Sequence, residues 1–333
     1  MRAIDVHAHF APVARFEAMR AVAPAHVPIV EYVGDDVFFR YPNGIENGPV
    51  PRAVVDVEQR LLDMAATDVT HQVLSARPQM FSYDLPGDVA SQLASLSNDA
   101  LIEVAESHSE EFSVLIALPM QDTDAAVREV ERLASNRIVR GVMVDSNIDG
   151  RDFAETAFAP IWAAVEAAGL PVLVHPYQGD VVGMDRLRKH YLFNLIGNPV
   201  DTTIAIANVV FGGLADLYPD LRWGFVHGGG VAPYLAGRWD HGWHKREVTR
   251  ERIPDALPSE ILTRFWYDCI VHDERTLTYL ADSVGWDRIM LGSDCPFDMG
   301  YTDPVRFVDG SPEARTHRQA VLHDNAEQFL RAP

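Results

Sequence analysis

The segment Asp5-Val6-His7-Ala8-His9 stands near the start of the chain, at the end of a brief apolar run that begins at Ala3. Such a run predicts a β-strand, in which alternate side chains lie on one face. We therefore expect His7 and His9 to point in the same direction. Two such imidazoles can grip a metal ion, although an isolated His-x-His pair also occurs by chance. The pair gains significance if later strands also end in His or Asp.

Seven further apolar segments follow, and they alternate with segments of helical periodicity. The predicted strands after the first are 69–75, 112–118, 139–144, 170–175, 221–227, 265–271 and 288–293. The predicted helices are 53–66, 88–108, 122–135, 158–168, 199–217, 231–245, 274–283 and 311–330. This alternation is typical of an α/β protein with a (β/α)8 TIM barrel. A doubly wound open sheet would also fit, but eight repeats and the lack of a Gly-rich phosphate loop favour the closed barrel.

The chain length is consistent with one barrel, so we expect residues 1–333 to form a single TIM-barrel domain. Residues 10–52 are irregular and rich in Pro, Gly and Asn, and we interpret them as an insertion over the barrel mouth. Within the insertion, 30–33 and 37–40 flank Gly34-Asp35-Asp36 and predict a small hairpin.

The composition excludes several classes of partner. A formal net charge of −20, from 28 basic and 48 acidic residues, argues against nucleic-acid binding, which relies on basic clusters. No apolar run approaches the roughly 20 residues that a membrane-spanning helix needs. The two cysteines, Cys269 and Cys295, are too few for a disulfide scaffold, and the first strand begins without a secretory leader. We therefore expect a cytoplasmic protein with no membrane partner.

Potential metal ligands stand at the ends of several predicted strands. Strand 1 ends in His7 and His9, strand 5 in His175, strand 6 in His227 and strand 8 in Asp294. Active sites of such barrels lie at the C-terminal ends of the strands, so these side chains should converge. Any one histidine could be structural, but their shared position favours a site. Such donors suit a zinc-like divalent ion with an open position for water.

Five segments give the chain a resemblance to a known family. They are Ile4–Phe10, Pro78–Tyr83, Leu173–Pro176, Phe225–Gly230 and Leu291–Phe297. With them the chain resembles the metal-dependent amidohydrolase superfamily, in the branch named for aminocarboxymuconate-semialdehyde decarboxylase. The resemblance covers nearly the whole chain, and the paired histidines and the triple glycine after His227 are its most specific features.

The resemblance implies a metal site and a catalytic pair. His7, His9, His175 and Asp294 would hold one Zn²⁺ per chain together with a water, with another divalent metal as the alternative. His227 would stand beside that water as the acid/base, so that His227 and Asp294 are the expected catalytic residues.

The resemblance also bears on the number of metal ions. Relatives with two metals carry a bridging lysine at the end of strand 4. The corresponding segment, 141–145, has no lysine, so a single metal is expected. Asp145 could ligate a second ion, but a capping role before the following loop is the preferred interpretation.

Arginines are implied as ligands for substrate carboxylates, because guanidinium binds carboxylate in a bidentate manner. Arg238 matches an arginine that reaches into the neighbouring subunit's site, which implies a homodimer. Arg40 matches a second family arginine, and Arg52 is a competing candidate. For any single arginine, a solvated surface charge is the simpler alternative.

Other side chains are expected near the mouth of the barrel. Tyr177, His190 and Asn194 stand where the family often has tryptophans, so the shape of the pocket should differ. Phe297 and Met80 are candidate apolar walls, with core packing as the alternative for Met80. His190 could instead be exposed on a loop.

The implied activity is metal-dependent, non-oxidative decarboxylation of an unsaturated or aromatic carboxylic acid, a small-molecule substrate. The alternative is a hydrolase or hydratase, because the same metal–water–His set can attack an amide, a lactone or an activated double bond. A third class is a catalytically silent binding protein on an enzyme scaffold. Such a protein would lack one or more of the ligands, and all five positions are present.

Overall fold

The computed structural model describes residues 2–177 and 181–331. In chain order, its strands are β1 (Ile4–Phe10), β2 (Ile29–Val33), β3 (Asp36–Arg40), β4 (Glu46–Pro51), β5 (His71–Ala76), β6 (Phe112–Ala117), β7 (Val139–Asp145), β8 (Val172–His175), β9 (Trp223–Phe225), β10 (Trp266–Asp268) and β11 (Ile289–Met290). Eight of them form one sheet in the order β1-β5-β6-β7-β8-β9-β10-β11, and the paired neighbours are parallel. The other three form a separate antiparallel sheet.

Helices fill the connections between the strands of the large sheet. They are α1 (Phe16–Val22), α2 (Val57–Ala66), α3 (Gly87–Ser107), α4 (Thr123–Leu133), α5 (Ala159–Ala167), α6 (Met184–Leu187), α7 (Asn198–Phe211), α8 (Leu214–Leu217), α9 (Ala232–Lys245), α10 (Pro258–Leu262), α11 (Glu274–Val284), α12 (Pro304–Gly310), α13 (Pro312–Thr316) and α14 (Asn325–Phe329). The architecture is a (β/α)8 TIM barrel, which confirms the predicted fold. Throughout the described ranges, each helix is too short or too polar to cross a membrane.

The barrel closes through backbone hydrogen bonds between β1 and the segment that follows β11. Val6 N–H donates to Leu291 O at 3.0 Å, and His9 N–H donates to Cys295 O at 2.8 Å. In the reverse direction, Asp294 N–H donates to His7 O at 2.8 Å. We call this set of bonds the closing seam. It places the residues after the last strand directly beside the two histidines of the first.

Capping side chains explain where several helices begin. Asp56, Asp122 and Asp273 precede α2, α4 and α11, and each carboxylate accepts a backbone N–H of the first turn. Such caps satisfy donors that the helix leaves free. The predicted helix 53–66 therefore begins at Val57, after the Asp56 cap.

The insertion after β1 has more structure than the sequence indicated. The predicted hairpin is present as β2 and β3, and β4 adds a third strand beside β3. Helix α1 packs on this sheet, and Phe16, Met19, Val37 and Phe39 form the centre of a second apolar core. Only the hairpin was predicted within 10–52. Strand β4 was missed because its sequence contains Gly and Pro and has no alternating apolar pattern.

The C-terminal region also differs from prediction. A single helix was expected over 311–330, but α13, a π-helical segment (Ala320–Asp324) and α14 occupy this range. Helix α12 before it was not predicted. Pro304 and Pro312 each stand in the first turn of a helix, where the missing backbone N–H has no intrahelical partner to lose. In the sequence, prolines at these positions do not by themselves indicate that a helix begins.

One buried arginine binds the two sides of the closing seam together. Arg60, on α2, is fully buried. Its Nη2 donates to His9 O at 2.6 Å, and its Nε donates to Ala53 O at 2.9 Å. Its Nη1 donates to the Sγ of Cys295 at 3.1 Å. The guanidinium therefore connects α2, β1 and the segment after β11.

Replacing Arg60 with methionine should lower the free energy of unfolding by roughly 3–5 kcal/mol, because buried carbonyl groups lose a charged donor. Urea denaturation measures this change. Arg264→Met is the matched control, because Arg264 and Asp216 form a surface ion pair in which both side chains are 45% exposed. Its loss should stay below about 1 kcal/mol. Equal losses in the two variants would contradict the role assigned to Arg60.

Candidate active site

Four potential metal ligands meet at the C-terminal end of the barrel. His7 and His9 lie on β1, His175 is the last residue of β8, and Asp294 follows β11 across the closing seam. One ligand atom from each of the four lies within 4.8 Å of the others, and all four residues are buried. The predicted convergence of these strand ends is therefore present.

The ligand atoms point toward one another. His7 Nε2 and His9 Nε2 are 3.1 Å apart, and Asp294 Oδ1 lies 3.1 Å from the second and 3.3 Å from the first. Within the described part of the chain, His175 Nε2 and Asp294 Oδ1 are buried without a hydrogen-bond partner. Buried polar atoms are rarely left so. Three imidazoles and a carboxylate with these orphaned atoms fit a divalent metal ion.

The remaining ring nitrogens are fixed by neighbours. His7 Nδ1 lies 2.7 Å from Asp268 Oδ2, His9 Nδ1 lies 3.2 Å from Ala76 O, and His175 Nδ1 lies 2.8 Å from Pro176 O. Each Nδ1 can therefore donate its proton to an oxygen. This leaves the lone pair of Nε2 available for a metal ion and fixes the orientation of each ring.

Burial and charge act in opposite directions on these groups. Burial lowers the pKa of His9, and it lowers that of His175 well below the ordinary value, so both rings are neutral ligands. Burial also opposes protonation of His7, but the Asp294 and Asp268 carboxylates raise the pKa of His7 to about 10. Two buried carboxylates thus favour a positive charge at this point. A divalent cation would supply that charge in place of a proton.

Asp268 is a site residue that the sequence analysis missed. It ends β10 and is fully buried. Besides its contact with His7, its Oδ1 accepts from Gly228 N at 2.9 Å and from Ile270 N at 3.1 Å. The pKa of Asp268 is lowered: burial would raise it, but the His7 hydrogen bond and charge outweigh burial. The sequence did contain an indication of this role, because Asp268 is the single acidic residue in the apolar segment 265–271.

Asp5 is a second buried carboxylate that was not predicted to have a role. It accepts from Ser293 Oγ at 2.6 Å, from Ser293 N at 3.0 Å and from Gln72 Nε2 at 2.9 Å. Burial raises the pKa of Asp5 despite these bonds. The carboxyl group holds Ser293 and therefore the position of Asp294, its neighbour in the chain.

The triple glycine after His227 has a steric reason. His227 has a φ of 55°, and Gly228, Gly229 and Gly230 also have positive φ values. A Cβ on Gly230 would lie 2.1 Å from the carbonyl oxygen of Pro199. This tight turn directs the His227 ring toward the metal ligands, with Nε2 3.7 Å from Asp294 Oδ2. Its Nδ1 is buried and has no hydrogen-bond partner among residues 2–177 and 181–331.

A cavity of about 330 Å³ opens onto the ligand cluster. His175, His227 and Asp294 form part of its lining, and residues 47–51 of the insertion form the opposite part. Phe297 stands at the wall, with its ring centroid 5.4 Å from that of His9. The insertion therefore contributes its strand β4 to the wall of the cavity.

The structure does not bring Arg40 to this cavity. Arg40 lies on β3 with its side chain 53% exposed, and its Nε is 2.6 Å from Glu31 and 3.3 Å from Glu46. These two carboxylates come from the neighbouring strands of the insertion and hold the guanidinium outside the cavity. The competing candidate, Arg52, is paired with Asp56 at 2.8 Å in the same exposed way.

The other predicted substrate residues occupy different positions. His190 is exposed with a φ of 59°, whereas Tyr191 and Asn194 line the cavity beside it. Met80 lines a smaller neighbouring cavity and packs against both apolar cores. Tyr177 is half-buried next to the site, and Arg238 is exposed on α9.

Asp145, at the end of β7, has the capping role that was preferred for it. Its Oδ1 accepts from Ser146 N at 2.6 Å and from Tyr177 N at 2.9 Å. Burial raises the pKa of Asp145 well above its ordinary value, although these bonds oppose the change. The carboxyl group thus fixes the loops after β7 and β8.

The sequence of the chain is similar to those of known proteins. Residues 4–332 match the model of the family described as Amidohydrolase. The chain is 33% identical over 276 residues to 2-amino-3-carboxymuconate-6-semialdehyde decarboxylase of Dictyostelium discoideum, which covers 83% of this chain and 76% of that protein. It is 28% identical over 392 residues to the protein of the same name from Caenorhabditis elegans, with 99% and 94% covered.

A solved structure supports the fold. It is the crystal structure of 5-carboxyvanillate decarboxylase from Novosphingobium aromaticivorans DSM 12444 complexed with manganese and 4-hydroxy-3-methoxy-5-nitrobenzoic acid. The TM-score is 0.83 at 20% sequence identity, and the match covers 98% of this chain and 95% of that one. The overall fold of the chain is therefore one already seen in a solved structure.

Asp268→Asn should weaken metal binding by about 10- to 100-fold, because the amide no longer holds the His7 ring through a charged acceptor. Competition with a chelator measures the affinity for Zn²⁺ or Mn²⁺. Asp287→Asn is the control, since the Asp287 side chain is 70% exposed and should leave the affinity unchanged. Unchanged affinity in Asp268→Asn would show that its contact with His7 does not support the site.

Proposed function

Because the chain belongs to the amidohydrolase family, we propose that it is a metal-dependent, non-oxidative decarboxylase of an unsaturated or aromatic carboxylic acid. The curated relatives described above are named as decarboxylases, which supports a carboxy-lyase. Such a reaction replaces a carbon–carboxylate bond with a carbon–hydrogen bond and releases CO₂. It needs a cation that holds the carboxylate and a proton donor near the same carbon atom.

The observation that carries this proposal is the position of His227. Its ring shares the wall of the cavity with His175 and Asp294, so a ligand in the cavity meets the metal-ligand cluster and the His227 imidazole together. The ring centroid of His227 lies 5.3 Å from that of His175 and 5.5 Å from that of His7. A substrate carboxylate held at the cluster therefore places its neighbouring carbon within reach of the His227 ring.

We assign His7, His9, His175 and Asp294 as the ligands of one divalent ion per chain, with Zn²⁺ as the first choice. Zinc binds this set of nitrogen and oxygen donors readily. Mn²⁺, which the similar 5-carboxyvanillate decarboxylase structure contains, accepts the same donors. When bound, the ion supplies a Lewis acid that holds substrate oxygen atoms and stabilises negative charge on them.

In the proposed reaction, His227 acts as the acid/base. Imidazole exchanges protons near neutral pH, and a positioned imidazole can deliver one to carbon. His227 protonates the carbon atom that bears the carboxylate, and the bond to the carboxylate then breaks. The electron pair of that bond restores the double bond or the aromatic ring, and CO₂ leaves. Asp294, with Oδ2 facing the ring, orients His227 during the transfer.

We also propose that the working unit is a homodimer in which Arg238 reaches the partner's cavity. Among the described residues Arg238 has no ion-pair partner, and it stands on the same helix as Tyr234, which is 77% exposed. An exposed guanidinium on the same helix as an exposed aromatic side chain is consistent with an interface. The substrate carboxylate would then be held by a cation from each subunit.

A cytoplasmic location is the remaining proposal. Cys269 is buried, Cys295 is half-buried, and both are free thiols. Burial raises the pKa of each thiol, which keeps it in the unreactive protonated form. Two unpaired thiols are consistent with a reducing compartment.

His227→Asn should lower the rate of CO₂ release at least about 100-fold while the bound metal is retained, because the proton donor is lost. The substrates are 2-amino-3-carboxymuconate 6-semialdehyde and 5-carboxyvanillate, CO₂ is measured directly, and metal content is measured in the same samples. Metal-stripped protein should release none. His108→Asn, at the end of the barrel opposite the cavity, is the control and should keep full activity.

Two results would contradict the decarboxylase assignment. Full turnover by His227→Asn would remove the proton donor from the mechanism. Metal-dependent cleavage of esters, amides or lactones, without CO₂ release from any acid, would favour the hydrolase alternative.

Mixing two inactive variants tests the dimer. Arg238→Ala lacks the arginine and His227→Asn lacks the imidazole, so each homodimer should be inactive. In a mixed dimer, one cavity contains its own His227 and the partner's intact arginine, so activity should return on mixing. A monomer in analytical ultracentrifugation, or no recovery after confirmed subunit exchange, would overturn the shared site.

A further inference from the structure

Arg77 is a buried cation next to the candidate active site. It follows β5 directly, at the same end of the barrel as the metal-ligand cluster, and only 2% of its surface is exposed. The guanidinium carbon lies 3.9 Å from the ring centroid of Phe39, in the apolar core of the insertion. A charged group in such surroundings has lost nearly all of its hydration.

No carboxylate compensates this charge among residues 2–177 and 181–331. The Nη2 of Arg77 donates to the amide oxygen of Asn47 at 2.7 Å, and its Nε has no hydrogen-bond partner in those ranges. Nε and Nη2 together form the edge of a guanidinium that binds a carboxylate with two parallel hydrogen bonds. On Arg77 that edge holds one neutral oxygen and one unused donor.

Arg60 shows what a structural buried arginine looks like in the same barrel. It is equally buried and has no carboxylate partner in the described part of the chain, but all three of its nitrogen atoms donate to protein atoms. Arg77 leaves a donor unused, which is costly at a buried position. A structural role explains the burial of Arg60, because its donors are satisfied. It does not explain why Arg77 is buried with its Nε unpaired within the described ranges.

The position of Arg77 relates it to the cavity. Asn47, its hydrogen-bond partner, lines the large cavity, and Gln79 lines both this cavity and a small one of about 30 Å³ that Arg77 borders. Phe297 stands between the two charged regions, with its ring centroid 5.4 Å from that of His9 and 5.8 Å from the guanidinium carbon of Arg77. One ring thus separates the guanidinium from the metal ligands.

We propose that Arg77 is the residue that binds the second carboxylate of a dicarboxylate substrate. One carboxylate lies at the metal-ligand cluster, and the other takes the Nε–Nη2 edge of Arg77, where Asn47 now provides a single neutral oxygen. The proposal rests on the decarboxylase function only for the identity of the first carboxylate. It assigns to Arg77 the carboxylate-binding task that Arg40, paired with Glu31 and Glu46, does not perform within the chain.

The protonation state of Arg77 supports this assignment. Burial lowers its pKa to about 10, and the nearby Tyr41 and Tyr177 partly oppose this change. The group therefore remains positively charged at neutral pH. A carboxylate that replaces the Asn47 contact would offset the cost of its burial.

Binding of simple acids to the metal-loaded protein tests the proposal without turnover. The probes are benzoate, isophthalate and terephthalate, and isothermal titration calorimetry measures each affinity. The wild-type protein should prefer at least one dicarboxylate to benzoate. Arg77→Met should weaken binding of that dicarboxylate by about 10- to 100-fold, as expected for loss of charge-assisted hydrogen bonds, and leave benzoate binding within about twofold. Arg77→Lys should restore part of the loss.

Controls separate this role from a structural one. Arg264→Met, which removes an exposed arginine, should bind all three acids like the wild type. Metal content and thermal unfolding of Arg77→Met show whether the variant is folded. Equal weakening of benzoate and dicarboxylates in a folded variant would assign Arg77 to packing. A wild type without preference for either dicarboxylate would overturn the proposal.

The assay of CO₂ release keeps this result distinct from the proposed function. Decarboxylation that depends on His227, together with dicarboxylate binding that does not depend on Arg77, would refute the present inference alone. Dicarboxylate binding that depends on Arg77, without CO₂ release from any acid, would refute the decarboxylase and leave the anion site in place.

Discussion

The closing seam is the constraint on which the active site depends. Because Asp294 N–H donates to His7 O, and His9 N–H donates to Cys295 O, two ends of the chain lie side by side with their ligand atoms on one rim. Arg60 binds the seam from the outside, and Asp5 binds it from within through Ser293. The seam is therefore both the last step of barrel closure and the element that completes the metal-ligand cluster.

The buried charges divide the site into one region that favours a cation and one that favours an anion. Around His7, the carboxylates of Asp268 and Asp294 are buried and keep lowered pKa values, so this region favours a cation. Burial raises the pKa of Asp5, which accepts hydrogen bonds from Ser293 and Gln72 rather than from the metal ligands' rings. Across Phe297, Arg77 is buried without a counter-charge among the described residues, so that region favours an anion. A negatively charged ligand that spans the cavity satisfies both regions, once a metal ion is present in the first.

A feature of the fold or of the site could be predicted from the sequence when it depends on neighbouring residues in the chain, and not when it depends on a partner remote in sequence. The barrel strands are continuous apolar runs, and polar residues mark their ends, so the fold and the positions of the metal ligands were predictable. Strand β4 was not, because Glu46–Pro51 is extended only through its pairing with β3. Asp268 was missed because its partner, His7, is remote in sequence. Arg40 lies outside the cavity lining, paired with Glu31 and Glu46, and its role as a substrate ligand stays a prediction. The charge of an arginine is visible in a sequence, but its burial is not.

The contrast between the barrel and the insertion also indicates which part of the protein selects the substrate. The metal ligands and His227 lie on the barrel strands or in the turns directly after them, within motifs that the family resemblance already contains. The groups around Arg77 come largely from the insertion: Asn47 on β4 holds its Nη2, and Phe39 on β3 packs against its guanidinium. A change in the insertion can therefore move or cover the second charge without disturbing the metal-ligand cluster. The barrel would determine the type of reaction, and the insertion, whose strands the apolar pattern predicted least well, would determine which acid is bound.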